Sequence, residues 1–329
     1  MGPPRNARRK PPPGPSSASG ASGASLTGDA HGLVITHSGR DLLVEDAHAG
    51  LHLCTARKRL GRIVCGDRVR WQPSGPTQGV VTALEPRRSL LARPDARGNE
   101  RPLAANLDQI IIVCAPEPPL SEGLIDRYLV AAELIGVQAR ILINKADLLA
   151  PAARAHLEAR LAAFPRLGYP LLFTSSHEPA ESTRLARHCN GHRSILVGQS
   201  GVGKSSLIRL LVPDSAIRIG QLSEASGLGR HTTTETTLYH LAGGGDLIDS
   251  PGVRDFQLWQ VTPDELQRGF RELPDYAGQC RFHNCRHQGE PGCAVTAAVA
   301  TGAVDARRLA NYRALLQEAL EREKGRYPA

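Results

Sequence analysis

Aromatic residues are scarce in this sequence, where Phe, Trp and Tyr make up 4% of 329 residues. Any core must therefore be built mainly from Leu, Ile, Val and Ala, and an apolar content of 41% is enough for one. No apolar run reaches the ~18–20 residues that a membrane-spanning helix needs. No apolar stretch follows the basic residues near the N-terminus, so we expect neither a secretory signal nor a membrane protein.

Acidic residues are outnumbered by basic ones, and the net charge is +8. This excess favours a polyanionic partner, most simply nucleic acid, over a basic but inert surface. Seven cysteines without an export signal indicate reduced thiols and a metal site rather than a disulfide scaffold. We therefore predict a cytoplasmic protein, and we expect it to be a monomer.

The N-terminal third divides into a tail and a β-rich segment. Residues 1–30 are rich in Pro, Gly, Ser and Ala, so we expect a disordered basic tail that either lies on RNA or keeps the protein soluble. Residues 31–102 alternate short apolar runs with turn residues, which is typical of a small all-β barrel. The expected strands are 32–36, 41–45, 50–54, 68–72 and 78–84.

Five strands in this length fit a barrel of the oligonucleotide-binding (OB) type, and an SH3-like barrel is the alternative. Basic side chains crowd the same segment and could follow a phosphate backbone. They are Arg57, Lys58, Arg59, Arg62, Arg68 and Arg70.

Strands and helices alternate in residues 103–272. The run 109–115 is continuously apolar, as expected for a buried parallel strand. The pattern predicts a doubly wound α/β domain with a mostly parallel sheet, and ligands beyond the carboxyl ends of its strands. Further strands are expected at 139–144, 170–175, 194–197, 236–241 and 246–249, with helices at 121–137, 152–164 and 180–188.

A phosphate-binding loop of the pattern G-x-x-x-x-G-K-S lies between an apolar strand and an apolar helix. Its glycines allow backbone N–H groups to approach phosphate oxygens at a helix N-terminus. Lys204 is expected to reach the β- and γ-phosphates, and the Ser205 hydroxyl to bind Mg²⁺. The predicted segment is Gly198, Gln199, Ser200, Gly201, Val202, Gly203, Lys204, Ser205 and, at the helix start, Ser206.

The choice of base is predicted by Asn144-Lys145-Ala146-Asp147, which follows an apolar strand. The Asp147 carboxylate can accept hydrogen bonds from the guanine N1–H and exocyclic amine, whereas adenine offers no amine there. Lys145 can lie over the purine, and Asn144 can brace neighbouring loops. Backbone N–H groups of Thr174-Ser175-Ser176 could reach the guanine O6, although this motif is the least specific.

Asp249-Ser250-Pro251-Gly252 also follows a strand, so Asp249 could hold Mg²⁺ through water and the Gly252 N–H could meet the γ-phosphate. The order of the motifs is unusual, because the guanine motif precedes the phosphate loop. A circular permutation explains this order. Domain termini lie close together, and which strands are neighbours in a sheet depends on their positions in space rather than on their order along the chain.

Four potential metal ligands cluster near the C-terminus in the pattern Cys280-x4-Cys285-x-His287-x5-Cys293. Three thiolates and one imidazole would form a closed, structural zinc site. His283 competes with His287 as the fourth ligand. Residues 304–324 form an expected helix that either packs back on this module or contacts RNA through Arg307, Arg308 and Arg313.

The permuted order, the segment Gly229-Arg230-His231-Thr232-Thr233-Thr234 and the cysteine cluster together resemble the bacterial ribosome small subunit-dependent GTPase A (RsgA) family. The resemblance covers residues 31–329. It implies a GTPase whose barrel, permuted domain and zinc domain, here residues 273–329, clamp the small ribosomal subunit late in its maturation. It also implies His287 as the zinc ligand and a Mg²⁺-binding threonine within 232–234, of which we favour Thr233.

Val253 stands where many GTPases carry a Gln that orients the attacking water, so we expect slow intrinsic hydrolysis. Arg230 and His231 are candidates to supply this function, and His231 is alternatively a structural switch residue. Two rival functions remain at this point. One is a GTP-gated RNA-binding module whose hydrolysis is incidental, and the other is an ATP-dependent RNA enzyme, against which Asp147 argues.

Overall fold

The N-terminal strands close into a barrel. The fold is that of a computed structural model, which describes residues 29–95, 98–176, 178–212, 236–250, 258 and 260–326. The barrel order is β1-β2-β3-β5-β4, closed by pairing of β4 with β1. The strands are β1 (Ala30–Ser38), β2 (Asp41–Glu45), β3 (Leu51–Ala56), β4 (Arg68–Gly75) and β5 (Gln78–Leu84).

Alternation of side chains explains why these segments form a barrel. Leu42 and Val44 of β2 point inward, as do Val69 and Trp71 of β4, while the residues between them are more exposed. The pairing of β3 with β5 is parallel, whereas the other barrel pairs are antiparallel. This arrangement confirms the OB-type barrel over the SH3-like alternative.

A two-stranded hairpin that the sequence did not reveal follows the barrel. It consists of β6 (Leu90–Pro94) and β7 (Glu100–Ala105). Leu91, Leu103 and Ala104 of this hairpin belong to the core of the following α/β domain rather than to the barrel core. Although Leu91 lies within the segment 31–102 that the sequence assigns to the barrel, it packs with the α/β core.

The α/β domain has six strands in the order β10-β9-β8-β11-β13-β12. Five are parallel, and β12 is antiparallel to β13. The predicted, mostly parallel sheet is therefore confirmed. The strands are β8 (Gln109–Cys114), β9 (Gln138–Ile143), β10 (Leu171–Phe173), β11 (Arg193–Val197), β12 (Thr237–His240) and β13 (Asp246–Asp249).

Helices cover both faces of this sheet, which is why β8 is buried along its whole length. Ile110 and Ile112 face one core cluster, and Ile111 and Val113 face the other. The helices are α1 (Glu122–Ile135), α2 (Pro151–Arg160), α3 (Ala163–Arg166), α4 (Pro179–Cys189) and α5 (Lys204–Leu211). Gly136 ends α1 in the left-handed conformation, at φ 71°.

A single sheet runs from the α/β domain into the barrel, because β12 also pairs with β1. His240 of β12 strengthens this junction by contacting Asp246 and, at 2.8 Å, Glu45 of the barrel. Hydrogen bonds to Asp246 and Glu45 raise the pKa of His240 to about 10. The barrel is thus tied to β13, the strand that ends at Asp249.

The C-terminal region is helical around the cysteine cluster. Its helices are α6 (Pro263–Gly269), α7 (Pro274–Ala277), α8 (Ala294–Ala300) and α9 (Ala306–Arg326). Thr262 and Glu265 form a capping box that starts α6. Across the described ranges, no helix combines the length and apolar character needed to cross a bilayer.

Helix α9 joins the C-terminal region to the α/β domain through Arg308, which is 1% exposed. Its guanidinium donates to Asp126 of α1 at 2.5 Å and to both carboxylate oxygens of Glu272 at 2.5 and 2.8 Å. The suggestion that Arg308 contacts RNA is therefore wrong. Arg307 and Arg313 are also engaged, with Glu122 and with the carbonyl oxygen of His287.

Replacing Arg308 by alanine is expected to lower the free energy of unfolding by about 3–5 kcal/mol, because two buried carboxylates lose their partner. Urea unfolding followed by circular dichroism would measure the change. Arg154→Ala is the matched control, since its exposed pair with Glu158 contributes below about 1 kcal/mol. Equal midpoints for the two variants would contradict the structural role of Arg308.

Candidate functional site: a phosphate loop, a base-recognition motif and a metal cluster

The phosphate loop follows β11 and closes against two neighbouring segments. Gly198 has φ 139°, and a Cβ there would lie 2.1 Å from the Val113 carbonyl oxygen. Gly203 has φ 92°, and its Cβ would lie 2.3 Å from the Asn144 side-chain nitrogen. Both positions favour glycine, because φ is positive at each and a Cβ would collide with the Val113 backbone or the Asn144 side chain.

Lys204 begins α5 and reaches back over the loop. Its ammonium group donates to the carbonyl oxygens of Gly198 at 2.7 Å and Gln199 at 2.6 Å. Asp249 ends β13 beside β11, and burial raises the pKa of its carboxyl above the usual range, against the opposing charge of Lys204. Ser205 and Ser206 are exposed at the helix start. The Lys204 ammonium and the Asp249 carboxylate are thus close enough to interact electrostatically.

The predicted base-recognition motif lies at the carboxyl end of β9, next to the phosphate loop. Asn144 is fully buried and donates to the Val202 carbonyl oxygen at 2.8 Å, which links the two motifs. Lys145 has φ 58°, and its ammonium donates to the Glu117 carbonyl oxygen at 3.0 Å. Asp147 is exposed on the 3-10 turn Ala146–Leu148.

Thr174, Ser175 and Ser176 follow β10 and lie against the same motif. The Thr174 carbonyl oxygen accepts from the Ala146 N–H at 3.0 Å, and Thr174 and Ser175 are buried. The structure therefore brings together three of the loops that sequence patterns selected. The carbonyl oxygens of Val113 and Glu117 complete the arrangement, and no side-chain pattern could have identified them because the contacts are made by backbone.

Several predicted residues lie outside the described part of the chain. They are Arg230, His231, Thr232, Thr233, Thr234, Gly252 and Val253. The Mg²⁺-binding threonine, the γ-phosphate contact and the candidate catalytic histidine therefore stay predictions.

Cys280, Cys285, His287 and Cys293 form one cluster, with all ligand atoms within 4.8 Å of one another. The His287 Nδ1 lies 3.7, 3.6 and 3.4 Å from the sulfurs of Cys280, Cys285 and Cys293. Tetrahedral zinc with bonds of about 2.3 Å to sulfur and about 2.0 Å to nitrogen requires about 3.5 Å between the sulfur and the nitrogen. The four side chains fit such an ion.

Neighbouring groups hold these ligands in place. Gln267 of α6 contacts the His287 Nε2 at 3.1 Å, which leaves Nδ1 for the metal. The N–H groups of Ala294 and Thr296 donate to the sulfurs of Cys280 and Cys293. His283 is exposed and outside the cluster, so the geometry favours His287 over it. Gln267 escaped sequence analysis because it lies on a separate helix.

The remaining cysteines behave as buried thiols, as predicted. Cys54, Cys65, Cys114 and Cys189 are free and buried.

The barrel presents a basic surface. All six of the arginine and lysine residues that the sequence predicts for this surface are exposed: Arg57, Lys58, Arg59, Arg62, Arg68 and Arg70.

The chain matches known proteins along nearly its whole length. The family model described as RsgA GTPase matches residues 84–259. The "Small ribosomal subunit biogenesis GTPase RsgA" of Ectopseudomonas mendocina is 47% identical over 298 residues, covering 89% of this chain and 87% of the relative. The protein of the same name from Azotobacter vinelandii is 47% identical over 305 residues, covering 92% and 89%.

Solved structures agree with this match. YjeQ from Thermotoga maritima superimposes with a TM-score of 0.72 at 31% identity, covering 89% of this chain and 99% of YjeQ. YloQ, a circularly permuted GTPase, superimposes with a TM-score of 0.69 at 27% identity, covering 93% and 99%. The permuted order of the motifs, the phosphate loop and the metal cluster therefore have one explanation: this chain belongs to the RsgA GTPase family and is a GTP hydrolase.

Proposed function

We propose that this GTPase binds the small ribosomal subunit late in its maturation and hydrolyses GTP when the subunit stimulates it. The observation that carries the proposal is the near-complete coverage of relatives named for small ribosomal subunit biogenesis. The exposed basic side chains of the barrel support it, because such a surface suits an rRNA backbone. The protein acts in the cytoplasm as a monomer.

Each loop at the carboxyl edge of the sheet takes one task. Backbone N–H groups of residues 198–205 and Lys204 bind the phosphates, and Asn144, Lys145 and Asp147 select guanine with support from Ser175 and Ser176. Ser205 and Thr233 would bind Mg²⁺ directly and Asp249 through water, and the ion would neutralise charge on the phosphates. The Gly252 N–H meets the γ-phosphate, and His231 orients the attacking water in place of the Gln that Val253 replaces.

The metal cluster holds one structural zinc ion through Cys280, Cys285, His287 and Cys293. Its closed set of protein ligands supports this role, since a catalytic zinc site keeps one position open. The chain divides into a basic tail at 1–30, the barrel at 31–102, the GTPase domain at 103–272 and the zinc domain at 273–329. The described core supports moving the barrel boundary to the end of β5.

GTP turnover by the zinc-loaded protein, with and without purified small ribosomal subunits, tests the proposal. A large stimulation by subunits is the expected result. The competing function is a GTP-gated rRNA-binding module whose hydrolysis is incidental, and Val253 in place of Gln favours it. Unchanged turnover together with GTP-dependent binding to the subunit would establish that competing function and remove the role assigned to His231.

Replacing Asp147 by asparagine is expected to weaken GTP binding roughly 100-fold or more, because the guanine N1–H and amine lose their acceptor. The affinity for xanthosine triphosphate should increase, because its extra carbonyl oxygen can accept a hydrogen bond from the new amide. Competition binding with both nucleotides measures the exchange, and Arg209→Ala on the exposed side of α5 is the control. An unchanged preference would refute the guanine assignment.

A further inference from the structure

An exposed aromatic side chain stands on the loop between the first two metal ligands. Phe282 is 42% exposed, whereas Phe164, Phe173 and Phe270 are at most 8% exposed. This chain has few aromatic residues, and burying a phenyl ring is strongly favourable. Among the residues that the structure describes, packing leaves a large part of the Phe282 ring open to solvent.

The loop that carries Phe282 is short and held at both ends. Cys280 and Cys285 anchor it in the metal cluster. The Phe282 carbonyl oxygen accepts from the Cys285 N–H at 3.2 Å, and the Arg281 N–H donates to the Gly292 carbonyl oxygen at 3.1 Å. A surface fixed in this way loses little conformational entropy when a ligand binds.

The four side chains of the loop are exposed and offer complementary chemistry: Arg281, Phe282, His283 and Asn284. The Arg281 guanidinium lies 5.4 Å from the centre of the Phe282 ring, and within the described ranges it makes no ion pair. Neighbouring arginines have acceptors within the protein, since Arg286 pairs with Asp264 and Arg313 donates to the His287 carbonyl oxygen. The guanidinium thus contacts the ring, and its charge has no carboxylate partner among the described residues.

We propose that residues 281–284 form a stacking platform for an unpaired base of RNA. Phe282 contacts the face of the base, and Arg281 contacts the adjacent phosphate. Unstacked RNA bases are typically bound in this way, by an aromatic face beside a cation. The inference rests on the proposed function, because the small ribosomal subunit would supply the RNA. The positive charge of Arg281 distinguishes this surface from an apolar contact with another protein.

The test uses the full-length, zinc-loaded protein and a single-stranded RNA of about 12 nucleotides that carries one 2-aminopurine. Stacking on Phe282 should quench the fluorescence of this base, and Phe282→Ala should remove that quenching at saturating protein. We expect Phe282→Ala to weaken binding roughly tenfold without changing its salt dependence. Arg281→Ala should instead lower the slope of log affinity against log salt by about 0.7.

Conservative variants separate the possible partners, and equal zinc content in all of them shows that the fold is intact. Phe282→Tyr should restore binding and quenching, and Phe282→Leu should not. Equal RNA binding and equal quenching by Phe282→Leu and Phe282→Tyr would overturn the platform in favour of an apolar protein contact. Wild-type affinity and quenching in Phe282→Ala would overturn it outright.

Stimulation of GTP turnover by subunits, measured on the same variants, keeps the two proposals apart. If wild-type protein shows stimulation but Phe282 has no effect on RNA binding, the platform alone fails. If RNA binding depends on Phe282 but subunits do not stimulate wild-type turnover, the proposed function alone fails.

Discussion

Replacing Lys204 by alanine is expected to lower GTP turnover by at least about 100-fold, with and without small ribosomal subunits. Removing one preorganised donor to a transition-state oxygen typically costs about 10²–10³ in rate. Lys204 is preorganised here, because two loop carbonyl oxygens hold its ammonium within 2.7 Å above the phosphate loop. Single-turnover hydrolysis with saturating GTP would separate this loss from weaker binding.

Two further variants sharpen the test. GTP turnover by Lys204→Arg should be nearly as low as turnover by Lys204→Ala. A planar guanidinium cannot occupy the position of a compact ammonium between two carbonyl oxygens. Arg209→Ala removes a positive charge from the exposed side of the same helix and should leave turnover unchanged. Turnover by Lys204→Ala within about threefold of wild type would show that the phosphates bind elsewhere.

Replacing Cys285 by serine is expected to release the metal and to unfold the C-terminal region. Structural zinc sites contribute on the order of 10 kcal/mol of apparent binding free energy, which becomes folding free energy. The effect should spread, because Cys285 and Cys293 belong to the core cluster that contains Tyr128 and Leu129 of α1. Zinc content per chain and limited proteolysis between residues 278 and 300 would measure both consequences.

His283→Ala is the matched control for this prediction, because His283 lies near Cys285 in sequence but is exposed and outside the cluster. It should keep one zinc ion per chain and the wild-type protease resistance. A chelator should reproduce the Cys285→Ser behaviour in the wild-type protein. If Cys285→Ser retained both its zinc and its protease resistance, three ligands would be enough to hold the metal and the fold. The four-ligand site would then be wrong.

The C-terminal region is coupled to the GTPase domain through α9, and this has consequences for both predictions. Arg308 binds Asp126 and Glu272, and Arg322 donates to the Leu258 carbonyl oxygen at 2.8 Å. Leu258 follows the segment that begins at Asp249. Loss of zinc should therefore disturb the nucleotide site as well, which gives lower GTP affinity in Cys285→Ser than in His283→Ala.

The barrel and the sheet were predictable because their patterns are local. Alternating burial in β2 and continuous apolarity in β8 report directly on how many faces of a strand are covered. The hairpin β6–β7 was missed, because its short strands contain Arg93, Pro94 and Arg101 and owe their burial to α1 and the α/β core. Its position depends on contacts that no window of sequence contains.

Local sequence determined the site motifs, because backbone approach and ligand spacing depend on neighbours in the chain. Glycines at 198 and 203, the Asn144-Lys145-Ala146-Asp147 run and the cysteine spacing each stand within a short segment. Tertiary structure decided what surrounds them: the Asn144 bond to Val202, the Gln267 contact with His287, and the burial of Arg308. Each of these contacts joins residues from separate elements. The arginine-rich pattern of α9, by itself, is compatible either with RNA contact or with buried ion pairs. The positions of the Asp126 and Glu272 carboxylates decide in favour of buried ion pairs for Arg308. A buried guanidinium is stable only where carboxylates accept its hydrogen bonds.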